Sequence, residues 1–371
     1  MAKPAAKLPS FWISSGPALV VLLVALLLAA ATIWKVGGDP LALARIGTRF
    51  SQGDPGGSEG YDGQFVYYIA RDPDPQRSAP YLDVPAYRYQ RILLPLLARL
   101  LAAGNPAGIP WTIILWGILS LVGGTWATGE LLASWHMSRW YALIYGLWAG
   151  FTLALVVDLP EPLAYGLAAA GLLALERGRK VPGWILMGLA LFAKEVILAF
   201  VIAISASYLF QRRWKEACQL ALVSWLPFGL FQLWLWGTFG KPGIGSGGLM
   251  ATSFELIPYM GLIRIAHESL VYFLGMAVVF GPALVFPSVW GMWRAARDLL
   301  AGERNVYVFS LLIHALVIAV MPFSTFRETG GVLRYACGLV LAIVLFAGRY
   351  NRKRVLNYAA FWGILNVFLL K

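Results

Sequence analysis

The run PALVVLLVALLLAAATIW, residues 17–34, decides the class of this protein. It carries no charge, and as a helix it is about 27 Å long, close to the roughly 30 Å hydrocarbon core of a bilayer. It also exceeds the apolar core of an ordinary signal peptide, so it reads as a retained first span; the Ala29-Ala30-Ala31 run leaves cleavage as an alternative. Working outward, further apolar runs lie at about 110–133, 140–157, 160–176, 182–210, 216–237, 269–293, 305–322, 332–348 and 355–370. Period-two alternation is absent, which leaves helices as the only reading. Composition agrees. Of 371 residues 59% are hydrophobic and only 13% charged, about half the charged share of a soluble domain. The expectation is an all-α polytopic membrane protein of about 10–11 transmembrane helices, one integral membrane domain over 1–371, with a long first outer loop at 37–91 and a second at 238–268. Cys218 and Cys337 sit in or beside apolar runs without metal spacing, so neither a disulfide framework nor a zinc site is indicated.

The net charge of +12 would suggest nucleic acid in a soluble chain. Here it reports sidedness instead. The run 182–210 is too long for one span and is interrupted by Lys194-Glu195, while Arg177, Arg179 and Lys180 stand at one end and Arg212, Arg213 and Lys215 at the other. Both ends belong in the cytoplasm, so a hairpin turning at Lys194-Glu195 is expected. The segment 91–103 is short and contains Arg99, so it is read as lying along the outer surface; one in which it crosses and 182–210 is a single span is the alternative. With the hairpin, the cytoplasmic side collects sixteen basic residues, Lys3 and Lys7 among them, against four acidic ones. A multi-pass protein of the inner (plasma) membrane with a cytoplasmic N-terminus follows, with membrane lipids as partners and no nucleic acid.

The outer charges mix signs and border the apolar core: Asp62, Arg71, Asp72, Arg88, Arg91, Asp158, Glu161, Lys194, Glu195, Arg264, His267, Glu268, Arg327, Glu328 and Arg334. A buried charge costs about 3 kcal/mol or more on insertion scales, so these should face one another around a wet, outward-opening cavity. Three motifs carry a resemblance. The first is Gly60-Tyr61-Asp62-Gly63-Gln64 running on through Arg71-Asp72 to Tyr87-Arg88-Tyr89-Gln90-Arg91. The second is Asp158-Leu159-Pro160-Glu161 with Lys194-Glu195 at the kink, and the third Phe326-Arg327-Glu328 followed by Arg334-Tyr335. Together they resemble the GT-C superfamily of membrane glycosyltransferases that use polyprenyl-phosphate sugars. The resemblance implies a GT-C-like fold and a polyprenyl-phosphate-sugar donor. It also implies transfer to a glycan or lipid acceptor at the outer face, with Asp62 as catalytic residue. Tyr61, Gln64, Arg71, Asp72, Arg88, Arg91, Asp158, Glu161, Lys194, Glu195, Arg327 and Arg334 would be substrate-binding. The paired acidic motif of that superfamily is absent from the first loop, so the cofactor is open: none, or a divalent cation.

The residues support the same chemistry without the family. Inverting transfer needs a carboxylate to take the acceptor's proton and cations to hold the departing phosphate. Asp62 suits the first role; the alternative is that Asp62-Gly63 makes a turn. Arg88 and Arg91, three apart, fit a phosphate clamp or lipid snorkelling. Lys194 fits the donor phosphate or a structural ion pair to Asp158 or Glu161. His267 reads as a polar cap, and Glu130 as a partner of Arg139. The competing function is a transporter or flippase for a lipid-linked or anionic solute. Transporters usually show paired broken helices, and one is evident in the sequence.

Overall fold

The computed structural model describes residues 11–369; Lys3, Lys7 and position 370 lie outside the described residues. Among the described residues every regular element is helical and none is a strand. Among the described residues five helices are long and apolar enough to cross a bilayer: Ser15–Lys35, Ile109–Ser134, Trp214–Phe239, Leu270–Leu300 and Thr329–Arg349. A sixth span follows if Arg139–Gly146 and Ala149–Val156 are joined across their 52° bend. The remaining apolar runs are helical but shorter: Glu161–Glu176, Lys180–Ala193, Leu198–Phe210 and Val306–Ala319 have 13–16 residues, and the run expected at 355–370 is split between an α-helix, Lys353–Ala360, and a 3₁₀ segment, Phe361–Leu369. So about half of the expected spans have full crossing length. Their outward faces are apolar, with Leu23, Leu27, Leu222 and Leu233 at about 60% exposure, the pattern of a surface solvated by lipid chains.

Local chemistry ends each helix where the sequence allows. Ser269 accepts from Tyr272 N–H to start the 270–300 helix, and Asn305 accepts from Tyr307 and Val308 N–H to start the next, both side-chain N-caps. Gly240, at φ 74°, closes Trp214–Phe239 with its N–H on Trp236 C=O, the left-handed cap that glycine adopts without strain. The 214–239 and 270–300 helices each contain one π-helical turn, Ala221–Trp225 and Gly281–Val285.

The break at Lys194 organises the rest. Its backbone is extended (φ −160°, ψ 130°), so Lys180–Ala193 stops there, a short 3₁₀ turn Glu195–Ile197 follows, and Leu198–Phe210 returns. The two arms end at the same place, since Lys180 and Arg213 both reach Glu216, at 3.1 and 3.0 Å. That is the hairpin read from the charges. An arm of 14 residues is about 21 Å long, shorter than the bilayer core, so the charged turn sits recessed from the far surface. Likewise Leu93–Leu101, nine residues, is too short to cross, and Arg99 ties it to Arg71 C=O (2.6 Å). The bend at 147–148 is a second broken segment that the sequence reading missed.

The Glu161–Glu176 helix runs between two unlike ends. At its last turn Glu176 accepts from Trp135 and Tyr307, near the cluster in which Glu130 holds Arg139 (2.9 Å) and Arg177 (2.8 Å). At its first turn Glu161 meets Lys194 and Arg334. The basic residues and the mixed-charge residues therefore occupy opposite ends of the bundle. Over the mixed end fold segment 37–91 and the loop 240–259.

Candidate functional site

At that mixed end lies a cavity of about 310 Å³. Tyr61, Asp62, Gln64, Asp83, Arg88, Arg91, Lys194, Glu195, Glu328 and Arg334 supply its polar wall, and Phe50, Phe65, Tyr87, Leu249, Met250 and Tyr335 its apolar one.

Asp62 is delivered to this wall by two glycines. Gly60, at φ 70°, turns the chain so that Tyr61 N–H bonds Arg45 C=O. Gly63 begins the Gly63–Arg71 helix in close contact with the 157–158 turn: a β-carbon there would fall 2.3 Å from Val157 C=O. The Asp62-Gly63 pair is thus a turn that opens a tightly docked helix. Asp62 has helical φ and its side chain makes no capping bond. Its two oxygens go instead to two guanidiniums, Oδ1 at 3.0 Å from Arg88 Nη1 and Oδ2 at 2.9 Å from Arg334 Nη2. Burial alone would raise this carboxyl. Arg88 and Arg334, with Arg91 behind them, outweigh it and hold Asp62 well below the usual carboxylate range.

Each guanidinium is itself clamped from behind. Asp83 takes Arg88 Nε (2.7 Å) and Nη2 (2.8 Å), a fork-to-fork pair. Asp83 also accepts from Val84 N–H and Leu249 N–H. Despite its burial, the bonds from Arg88 and these amides hold its carboxyl below the usual value. Arg334 gives Nε to Glu161 (2.7 Å) and Nη1 to Tyr61 Oη (3.2 Å), whose hydroxyl in turn donates to Glu328 (2.6 Å). Lys194 bonds Glu161 at 2.5 Å, and Arg91 bonds Glu195 through Nε (2.8 Å) and Nη2 (2.6 Å) while its Nη2 also meets Tyr87 Oη. Lys194 and Glu195, adjacent in sequence at the helix break, thus take different partners, Glu161 and Arg91.

Four cations, Arg88, Arg91, Lys194 and Arg334, are matched by four carboxylates, Asp62, Asp83, Glu161 and Glu195. The sequence reading leaves Lys194 between the donor phosphate and an ion pair to Asp158 or Glu161, and Arg88 and Arg91 between a phosphate clamp and lipid snorkelling; the structure pairs all four cations with carboxylates. The reason is energetic: an uncompensated charge at this depth costs several kcal/mol, so cations brought here come with counter-charges. The Arg88–Arg91 clamp is not formed either. The helix carrying Arg88 ends at Tyr89, and the two guanidiniums serve different carboxylates.

Other expected site residues are dispersed. Asp72 pairs with Arg77 at 3.5 Å on the surface, and Arg71 lines no part of the cavity. Arg327, 56% exposed, faces Glu268 at 3.5 Å outside it. Gln64 lines the cavity, but its amide is spent on Gly47 N–H and Glu59 C=O, pinning the loop before Tyr61. Asp158 is 2% exposed, with left-handed φ of 56° and no partner for either oxygen; it backs the Gly63 helix start and does not line the cavity. A divalent cation does not fit the donor set. Among the described residues no three His, Cys, Asp or Glu side chains converge, and Asp62 faces two positive groups.

Sequence reading did not single out Asp83, and it gave no role to Tyr87 or to the 240–259 stretch of the second outer loop, which lies over the cavity. Gly243 and Ile244 N–H bond Gln232 Oε1, Leu249 N–H bonds Asp83, and Thr252 exchanges hydrogen bonds with Ser324. Gly248 fits because a β-carbon there would stand 3.1 Å from Arg88 Nη2. Asp83, two before the helix-starting Pro85 and five before Arg88, was the one legible signal.

No family model and no curated protein matches the chain. Among solved structures it is similar over 90% of its length to the crystal structure of ArnT from Cupriavidus metallidurans bound to undecaprenyl phosphate, with 18% identity and a TM-score of 0.47. The chain spans 60% of that protein.

Proposed function

We propose that the protein is an inverting glycosyltransferase that moves a sugar from a polyprenyl-phosphate donor to a glycan or lipid hydroxyl at the outer face of the plasma membrane, its N-terminus cytoplasmic. The donor class comes from the motif resemblance. The sidedness comes from the basic residues gathered at the end of the bundle opposite the cavity. One observation carries the chemistry: a part-exposed carboxylate, Asp62, faces a recessed cavity between two guanidiniums that other carboxylates hold in place.

In this reading the acceptor oxygen attacks the anomeric carbon as that carbon's bond to the phosphate oxygen breaks. The acceptor's proton passes to Asp62. Arg88 and Arg334 stabilise the negative charge gathering on the departing phosphate, and Phe65, Tyr87 and Tyr335 shape the apolar side of the cavity. Asp62→Asn keeps size but cannot take the proton. Membranes carrying it should transfer labelled sugar from polyprenyl-phosphate donors about 10²–10⁴-fold more slowly than the parent, with Asp72→Asn close to parental. Near-parental transfer by Asp62→Asn at matched folded protein refutes the catalytic role.

A further inference from the structure

Asp62 differs from the other three carboxylates of the network. Glu161 is fully buried, Asp83 also holds two backbone amides, and Glu195 is bidentate on one arginine. Asp62 alone is 27% exposed and gives one oxygen to each of two guanidiniums. Those guanidiniums do not depend on it for their position. With Asp62 removed, Arg88 remains forked on Asp83, and Arg334 remains on Glu161 and Tyr61. What is left is Arg88 Nη1 and Arg334 Nη2 aimed at one point beside the cavity, a preformed seat for a two-oxygen anion.

We propose that Asp62 is a built-in stand-in for the substrate's phosphate: a phosphate group binds by displacing Asp62 from Arg88 and Arg334, and only the displaced carboxylate acts on the acceptor. This rests on the glycosyltransferase reading for the second half and on geometry alone for the first. Charge bookkeeping favours the exchange, because an anion entering a network whose cations are all paired must replace a carboxylate. Asp62 is the one that moves with least loss. Displacement also changes its chemistry. While bridged by two arginines Asp62 is a poor proton acceptor; once the phosphate holds them, the burial that was outweighed raises its basicity. The base is thus engaged only when the donor is seated, so water in the empty site meets an inactive carboxylate.

The test uses the full chain in neutral detergent and measures binding of inorganic phosphate and of geranyl phosphate by calorimetry. If Asp62 occupies the seat nine-tenths of the time, its removal tightens binding about tenfold. Asp62→Asn should therefore lower the Kd for both probes about tenfold or more, and Asp62→Asn/Arg88→Gln should lose the gain. Equal or weaker binding by Asp62→Asn overturns the proposal. Geranyl phosphate binding more tightly than phosphate assigns the seat to a lipid-linked group; equal affinity assigns it to a free phosphate. As a check free of mutation, a structure of the wild-type protein with phosphate should show the anion between Arg88 and Arg334 and Asp62 turned away, and Asp62 still bridging them overturns the idea. Tighter phosphate binding with no sugar transfer by the wild type would retain the stand-in and sink the glycosyltransferase reading. Transfer lost in Asp62→Asn without tighter binding would do the reverse.

Discussion

Glu161→Gln should be the most destabilising isosteric change at the site, and the structure says which second substitution rescues it. Glu161 is 0% exposed, and one of its oxygens takes both Lys194 Nζ and Arg334 Nε. Neutralising it removes the counter-charge of two cations, but not equally. Arg334 keeps Asp62 at 2.9 Å, whereas Lys194, 5% exposed, has no other carboxylate within ion-pair distance among the described residues. The stranded charge is Lys194. Breaking a buried pair from one side costs about 3–5 kcal/mol. Lys194→Met alone leaves Glu161 with Arg334 and should cost less, about 1.5–3 kcal/mol for one lost charged hydrogen bond. In Glu161→Gln/Lys194→Met no cation is stranded, so the pair should cost less than the sum of the single changes by about 1–3 kcal/mol. Unfolding of the four proteins in one detergent, followed by tryptophan fluorescence, closes the cycle. Additivity within about 0.5 kcal/mol would refute Lys194 and Glu161 as mutual partners, and with it the argument that the site's cations are compensated pair by pair.

Gly63→Ala should destabilise by about 1–3 kcal/mol, as an overpacked contact does, since its β-carbon would meet Val157 C=O at 2.3 Å; an unchanged melting temperature contradicts the docked helix start. With Cys218, which is exposed, replaced by Ser, a cysteine at Arg179 should react with an impermeant thiol reagent only from the cytoplasmic side, and one at Met250 only from outside. The opposite result inverts the proposed sidedness. Because Asp62 is held below its unfolded value of about 3.9, its stabilising contribution is complete above about pH 4 and is lost as pH falls through the lower folded value. The melting difference between wild type and Asp62→Asn should therefore stay constant from pH 8 to 5, and a decline across that window would show that the carboxylate is not held by its arginines.

The amino-acid sequence by itself determined what the bilayer demands. Apolar run lengths, the excess of basic residues beside particular runs and the charges interrupting 182–210 were enough to read helices, the hairpin at Lys194-Glu195 and the separation of two kinds of charge. These are local quantities, set by the cost of leaving backbone or charge in hydrocarbon. They also showed that Lys194 and Glu195 need separate partners, and left Asp158 and Glu161 equally eligible for Lys194. Only the tertiary structure chose Glu161 and left Asp158 alone, because pairing depends on which turn of one helix meets the break in another. Tertiary structure likewise brought in Asp83, put Arg327 outside the cavity and bent the 139–156 segment. Most of all, it showed which carboxylate each of Arg88, Arg91, Lys194 and Arg334 meets. A sequence displays each charge separately, while the cost of burying one is settled by what stands within a few ångströms of it in the fold.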